Sequence, residues 1–143
     1  MAVDIVAIVV RALGFVAMLQ AVGIFIFTVL FGSQARTLSH ELRSTAKWIA
    51  VAGLFLVGFH QLLEAARMTG TLDGILEASL QRRALLSDVG LANGMRVAGM
   101  LALIAATTWS RRSQVVGLLG GLLVAGSFAA TGHTSINPLR AVL

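Results

Sequence analysis

The sequence contains no cysteine. This absence excludes disulfide bonds, metal sites built on thiolates and catalysis by a nucleophilic cysteine. Any soft metal ligand must therefore be methionine or histidine. No nucleophile–base set and no phosphate-binding loop is recognisable, so we do not expect an enzyme.

Charged residues are scarce as well. They make up 12% of the 143 residues, whereas hydrophobic residues make up 57%, above the ~45–50% of an ordinary soluble domain. The apolar residues form four runs of about 20 residues or more, each long enough to cross a hydrocarbon core about 30 Å thick. The first run is longer than the apolar core of a secretion signal and has no basic residues before it, so we expect the chain to retain it.

These features predict an all-α fold, an integral membrane four-helix bundle that forms a single transmembrane domain over residues 1–143. We expect the spans at residues 5–30, 48–68, 89–109 and 115–132. Between the second and third spans, residues 71–88 carry leucine and isoleucine at helical spacing, with most charges elsewhere. This pattern predicts a short amphipathic helix on the membrane surface.

The formal net charge is +5, but the basic residues are scattered between the spans without interleaved aromatic residues. This distribution does not indicate nucleic-acid binding. Basic residues are more frequent in loops 33–47 and 110–113, which the positive-inside rule places in the cytoplasm. We therefore predict that both termini lie on the outer side.

The second predicted span carries His60 and Glu64 at a depth where ionisable groups are costly and often functional. Residues four apart share a helix face, so His60, Glu64 and Met68 form one stripe of nitrogen, oxygen and sulfur donors. Such a stripe can face a metal, a cofactor or a charged partner.

Other polar residues fall at a similar depth in the predicted topology. Arg11, Asn93 and Arg96 lie roughly 6 to 12 Å below the outer boundary at ~1.5 Å per residue, and His133 lies at that boundary. One interpretation is structural: Glu64 pairs with Arg11 or Arg96, and the layer orders the helices. The other is a ligand site, in which the two arginines disfavour a bare cation unless they are paired, but suit haem propionates or an anionic partner.

Three stretches resemble the copper-resistance D (CopD) family of membrane proteins. The first is TGHTSINPLR at 131–140, which contains the Gly132-His133 pair at the end of the fourth span. The others are RALGFVAMLQAVGIFIFTVLFG in the first span and DVGLANGMRVAGMLALIAA leading into the third. The resemblance implies copper handling, that is, transport or delivery of copper near the periplasmic face of the bacterial inner membrane.

On this resemblance His60 and His133 are the first candidate copper ligands, and Glu64 and Met68 the second. A periplasmic copper carrier is an implied partner. Family members typically have more spans, so we expect a half-length relative that assembles with itself or with other membrane subunits. The glycines of two GxxxG motifs, Gly90 with Gly94 and Gly117 with Gly121, permit close helix contact.

Two alternatives stay open at this point. The protein can be a haem b-binding redox subunit, with His60 and His133 as axial ligands and Arg11 or Arg96 near the propionates. It can also be a structural accessory subunit of a larger membrane complex, in which the polar layer only orders the helices.

The predicted topology is testable by cysteine labelling, because the chain has no cysteine of its own. In intact cells an impermeant thiol reagent should label Ser135→Cys, in the outer tail, and should leave Ser39→Cys, in the inner loop, unlabelled. Labelling of Ser39→Cys would reverse the assigned orientation.

Overall fold

Helices account for nearly all of the chain that the structure describes. The computed structural model describes residues 2–34, 37–106 and 110–132. The elements are α1 (Ala2–Phe31), α2 (Ser39–Thr69), a 3-10 helix (Leu72–Leu76), α3 (Ala78–Leu85), α4 (Asp88–Ala105) and α5 (Arg111–Gly132). Four of them, α1, α2, α4 and α5, are long and apolar enough to cross a membrane, and no strand occurs in the described ranges. The predicted all-α fold with four spans is confirmed.

The four long helices pack mainly against their neighbours in the chain. Most contacts join α1 to α2 and α4 to α5. Helix α2 also packs against α4, and α1 makes fewer contacts with α5. Leu56 of α2 lies beside Gly14 of α1, whereas Gly53 lies beside Ala17 and Met18. The chain numbering thus runs in opposite directions along the two helices, as expected for an antiparallel bundle with short connections.

Apolar side chains fill most of the interior and also cover much of the outer surface. Met18, Phe25, Met100 and Val124 belong to one buried cluster in the centre of the bundle. Large hydrophobic side chains also face outward on every long helix, as illustrated by Phe55, which is 74% exposed. Outward apolar faces on helices that satisfy their own backbone hydrogen bonds are suited to contact with lipid chains.

Helix α2 is longer than the predicted span. It begins at Ser39 instead of residue 48 and has 31 residues, or about 46 Å at ~1.5 Å per residue. This length exceeds a hydrocarbon core of about 30 Å, so the polar first turns continue the membrane helix beyond the core. Ser39 is only 6% exposed, and exposed Gln34 is therefore the better position for cysteine labelling of the predicted inner loop.

Two further boundaries differ from the prediction. Helix α4 ends at Ala105, and α5 begins at Arg111 instead of residue 115. The first turn of α5 contains the basic residues Arg111 and Arg112. These residues can be helical because the end of a helix that projects beyond the membrane is in contact with water.

The predicted surface helix over 71–88 is two shorter elements. Gly70 ends α2 with a φ of 75°, a left-handed conformation that glycine adopts without steric cost. The 3-10 helix Leu72–Leu76 follows, Glu77 is extended, and α3 begins at Ala78. The Gln81 side chain donates to the carbonyl oxygen of Leu62 at 3.3 Å, which fastens this segment to the end of α2.

Glycines allow close contact between α4 and α5. A Cβ added to Gly120 would lie 2.6 Å from the carbonyl oxygen of Gly99. In α5, Gly117 lies under the Phe25 ring and Gly121 faces Val22, so this GxxxG motif packs against α1 of the same chain. A Cβ added to Gly94 of the other motif would lie within 4 Å of no atom of another helix among the described residues.

Gly120→Ala should therefore lower the thermal unfolding temperature, because the added methyl group forces α4 and α5 apart at a cost of about 1–3 kcal/mol. Gly94→Ala is the matched control. It adds the same atom to open space, and alanine favours a helix by up to about 1 kcal/mol over glycine. Equal unfolding temperatures for the two variants in the same detergent would contradict this packing.

Candidate functional site

Most of the polar side chains inside the bundle lie at one end, where α1 and α4 begin and where α2 and α5 end. They form two groups. We call Gln61, Asn93, Arg96 and Ser127 the arginine network, and His60 with Glu64 the histidine pair. Both groups lie in the part of the membrane domain that the sequence predicts to be nearest the outer side.

Arg96 is the centre of the arginine network and is only 2% exposed. Its Nε donates to the Ser127 hydroxyl oxygen at 3.1 Å, and its Nη1 donates to Asn93 Oδ1 at 2.7 Å. Its Nη2 is buried and has no hydrogen-bond partner within the described ranges. A guanidinium group with two anchored nitrogens and one unused nitrogen is therefore fixed in place with capacity to bind a further acceptor.

The network reaches all four long helices. Asn93 Nδ2 donates to Gln61 Oε1 at 2.7 Å, joining α4 to α2. The guanidinium carbon of Arg96 lies 4.9 Å from the Phe15 ring centroid and 5.5 Å from that of Phe128, on α1 and α5. These are cation–π distances, and such contacts strengthen in a site from which water is excluded.

The histidine pair lies beside this network on α2. His60 is 4% exposed, and its Nε2 lies 3.3 Å from Glu64 Oε1 without the geometry of a hydrogen bond. Glu64 Oε1 also lies 3.0 Å from Arg67 Nη1, and Arg67 Nε lies 3.6 Å from Asp4 Oδ1. These four side chains form a row from the bundle interior to the surface, because their exposed fractions rise in the order 4%, 15%, 40% and 53%.

A small cleft separates α1 from α2 and α4 at this level. His60, Asn93 and Arg96 line it together with Arg11 and Phe15 of α1. Its free space is that of about one water molecule. Arg11 is exposed at its outer edge, and its guanidinium carbon lies 5.2 Å from the centroid of the Phe15 ring.

The structure thus brings together Arg11, His60, Asn93 and Arg96 of the predicted layer around one cleft. Glu64 pairs with Arg67 and contacts His60, which differs from the pairing with Arg11 or Arg96 expected from the sequence. Arg67 lies three residues after Glu64 on the same helix, and side chains at this spacing are neighbours on the helix surface.

The second-choice ligands, Glu64 and Met68, do not line the cleft. Met68 is 53% exposed and does not line it, because the stripe of residues four apart leads outward along α2 and reaches the surface at its last turn. His133 lies outside the described residues, so its meeting with His60 stays a prediction.

Sequence reasoning missed Gln61, Ser127 and Asp4. Gln61 is a polar residue in an apolar span. Because a buried amide needs a hydrogen-bond partner, its position could have indicated a contact with another polar residue. Ser127 gave no signal, because a serine can also hydrogen-bond within its own helix. Here its hydroxyl also donates to the carbonyl oxygen of Val124 at 2.6 Å.

The side chains of the histidine pair could bind copper or the iron of a haem, the two groups expected from the sequence. Among the described residues no three His, Asp or Glu side chains converge as a metal site would require. His60 and Glu64 supply two donors, so a complete copper site needs a further ligand from elsewhere, such as His133. The pair fits part of a copper site.

A haem does not fit between the helices as they are packed here. The cleft holds about one water-sized group, whereas pockets for drug-sized ligands enclose about 300–1,000 Å³. Phe15 and Phe128, whose ring centroids are 4.8 Å apart, close the space between α1 and α5.

Comparison with known proteins agrees with the resemblance seen in the sequence. Residues 1–138 match the family described as copper resistance protein D-like, N-terminal domain. Searches of curated proteins and of solved structures find no match. The match covers almost the whole chain and all four membrane-spanning helices, and the chain therefore belongs to the copper resistance protein D-like family.

Proposed function

We propose that this protein handles copper, and that it binds the ion through His60 at the end of the bundle predicted to face the periplasm of a bacterial inner membrane. The observation that carries the proposal is the state of His60. Its Nε2 is buried, lies 3.3 Å from a carboxylate oxygen and makes no hydrogen bond to a described residue. Buried polar groups are rarely left in this state without a ligand or function.

The separation of the two atoms suits a shared metal ion. Nitrogen and oxygen ligands lie about 2.0–2.1 Å from a tetrahedral ion such as zinc, which places two ligands about 3.3 Å apart. Imidazole and carboxylate are both ligands of copper-sized ions, with imidazole the better suited to copper. His60 is the first ligand in this proposal, and Glu64 is the second.

The row of side chains that leads from His60 to the surface gives copper a route. Arg67 forms ion pairs with both Glu64 and Asp4, and it is 40% exposed. Movement of Arg67 into solvent breaks its ion pairs with Glu64 and Asp4, and a cation arriving from the predicted outer side can then pass along the row to Glu64 and His60. We infer transport or delivery of copper along this row, with a periplasmic copper carrier as the donor or acceptor.

A second candidate function is that of a structural accessory subunit. The arginine network favours it, because Arg96, Asn93, Gln61 and Ser127 bond to one another and connect three helices. In this case the polar end of the bundle fixes helix register for assembly with a second copy or with other membrane subunits. Exposed Gly94 on α4 offers a surface for such close helix contact.

His60→Ala should weaken copper binding by roughly tenfold or more, since tenfold corresponds to only about 1.4 kcal/mol and a direct ligand is lost. The measurement is the affinity of the purified protein for Cu(I), determined by competition with a chromogenic chelator. His40→Ala is the control, because His40 is exposed in the first turn of α2 at the other end of the bundle.

His133→Ala, measured in the same way, tests whether the two histidines share the ion. If both single variants and the double variant His60→Ala, His133→Ala bind copper as the unchanged protein does, copper handling through His60 is ruled out. The accessory function then accounts better for the polar end of the bundle.

A further inference from the structure

One side chain of the cleft carries a sulfur atom. Met18 of α1 lines the same cleft as His60 of α2, and it is 1% exposed. The other methionines among the described residues do not line this cleft. Met68 is 53% exposed at the end of α2, whereas Met100 is 0% exposed within the apolar cluster. A thioether and a buried imidazole therefore border one small space.

The directions of α1 and α2 turn these two side chains towards each other. Met18 packs opposite Gly53, because its Cγ would lie 3.7 Å from a Cβ added there. Gly53 precedes His60 by two helix turns, or about 10 Å. Side chains on a helix lean towards its N-terminus, and the two helices are antiparallel. Met18 therefore leans towards the level of His60, and His60 leans towards the level of Met18.

The cleft has room for a bare metal ion. Its free space is that of about one water molecule. A metal ion binds nitrogen at about 2.0–2.1 Å and sulfur at about 2.3 Å, whereas a water molecule lies about 2.7–3.0 Å from its hydrogen-bond partners. An ion that has shed its water therefore needs less space between His60 and Met18 than a water molecule does.

The charges around the cleft favour a monovalent ion over a divalent one. Arg96 lines the cleft with its guanidinium group fixed by hydrogen bonds to Asn93 and Ser127, and Arg11 lies at the outer edge. At a given distance, the repulsion between an arginine and a divalent cation is twice that for a monovalent cation. The arginines therefore disfavour Cu(II) and Zn(II) more strongly than Cu(I).

We propose that Met18 is a copper ligand, that it binds the ion together with His60, and that the ion is Cu(I). Thioether sulfur is a soft ligand of the kind that suits Cu(I). This inference rests on the copper handling proposed above, to which it adds a ligand and an oxidation state. Met18 continues the row of donors inward, so that a carboxylate oxygen of Glu64, an imidazole nitrogen and a thioether sulfur follow one another. The ion stays Cu(I) throughout, and no electron transfer takes place.

X-ray absorption on the unchanged full-length protein, loaded with Cu(I) in detergent under a sulfur-free reductant, tests this ligand set. It should show a sulfur neighbour at about 2.3 Å in addition to the imidazole. The chain has no cysteine, so a sulfur neighbour from the protein must be a methionine. This measurement needs no variant, and a spectrum without a sulfur neighbour would overturn the inference.

Met18→Leu identifies which methionine binds. Leucine has nearly the volume of methionine, so the packing is largely kept. This variant should lose the sulfur neighbour, and its affinity for Cu(I) should fall by about tenfold or more, since loss of even an outer-shell partner typically costs about 10–100-fold in metal affinity. Met100→Leu is the matched control, because Met100 is equally buried in the same cluster and does not line the cleft. It should keep both the sulfur neighbour and the affinity.

Equal affinities of Met18→Leu and Met100→Leu for Cu(I) would show that Met18 only packs and would overturn the inference. Loss of the sulfur neighbour in Met68→Leu, with its retention in Met18→Leu, would do the same. If His60→Ala loses Cu(I) while Met18→Leu keeps it, this inference fails and the proposed function stands. If His60→Ala keeps Cu(I), the proposed function fails, and the shared site of His60 and Met18 fails with it.

Discussion

Burial of the Arg96 guanidinium group is the constraint on which the polar end of this bundle depends. A charge at this depth must be held by hydrogen bonds and by favourable contacts in the membrane interior. Ser127 on α5 and Asn93 on α4 supply the hydrogen bonds, and Phe15 on α1 supplies a ring face at 4.9 Å. Because Asn93 also donates to Gln61 on α2, these hydrogen bonds connect α2, α4 and α5, and the contact with Phe15 adds α1.

The same arrangement limits which ligand can bind beside it. The aromatic rings and the anchored guanidinium group leave a cleft of about one water molecule, which accommodates an ion but not a porphyrin. His60 lines this cleft, and its Nε2 has no hydrogen-bond partner among the described residues. The proposed copper site follows from this packing arrangement, because His60 and the anchored Arg96 line the same cleft.

Membership of the copper resistance protein D-like family is consistent with a polar site inside the membrane bundle. The match extends over residues 1–138 and includes the helices that carry Arg11, His60 and Arg96. Family membership supports a role in copper resistance, whereas the direction of copper movement, the orientation in the membrane and the partner are proposals. The Gly117-Gly121 motif, which packs against α1 in the same chain, contributes to the fold of the single subunit.

The sequence predicted the number of spans correctly, because length and apolar composition are sufficient for that purpose. It placed Arg11, His60, Asn93 and Arg96 at one level from helix rise alone, and the structure gathers these residues around one cleft. The start of α2 was missed because its first turns are polar and continue the helix beyond the hydrocarbon core.

Side-chain partners were harder to predict than depth. The contact of Glu64 with Arg67 lies within one helix and could have been read from their spacing. The bonds of Arg96 to Ser127 and of Asn93 to Gln61 join different helices, and their formation depends on helix rotation. A single sequence does not contain that information.

X-ray absorption at the copper edge tests the central claim most directly, since it reports the atoms bound to the metal. For the copper-loaded protein the account predicts nitrogen or oxygen neighbours at about 2.0 Å with the scattering pattern of an imidazole ring, and it predicts that the pattern weakens in His60→Ala. A shell of sulfur neighbours without imidazole, or a spectrum unchanged in His60→Ala, would contradict it.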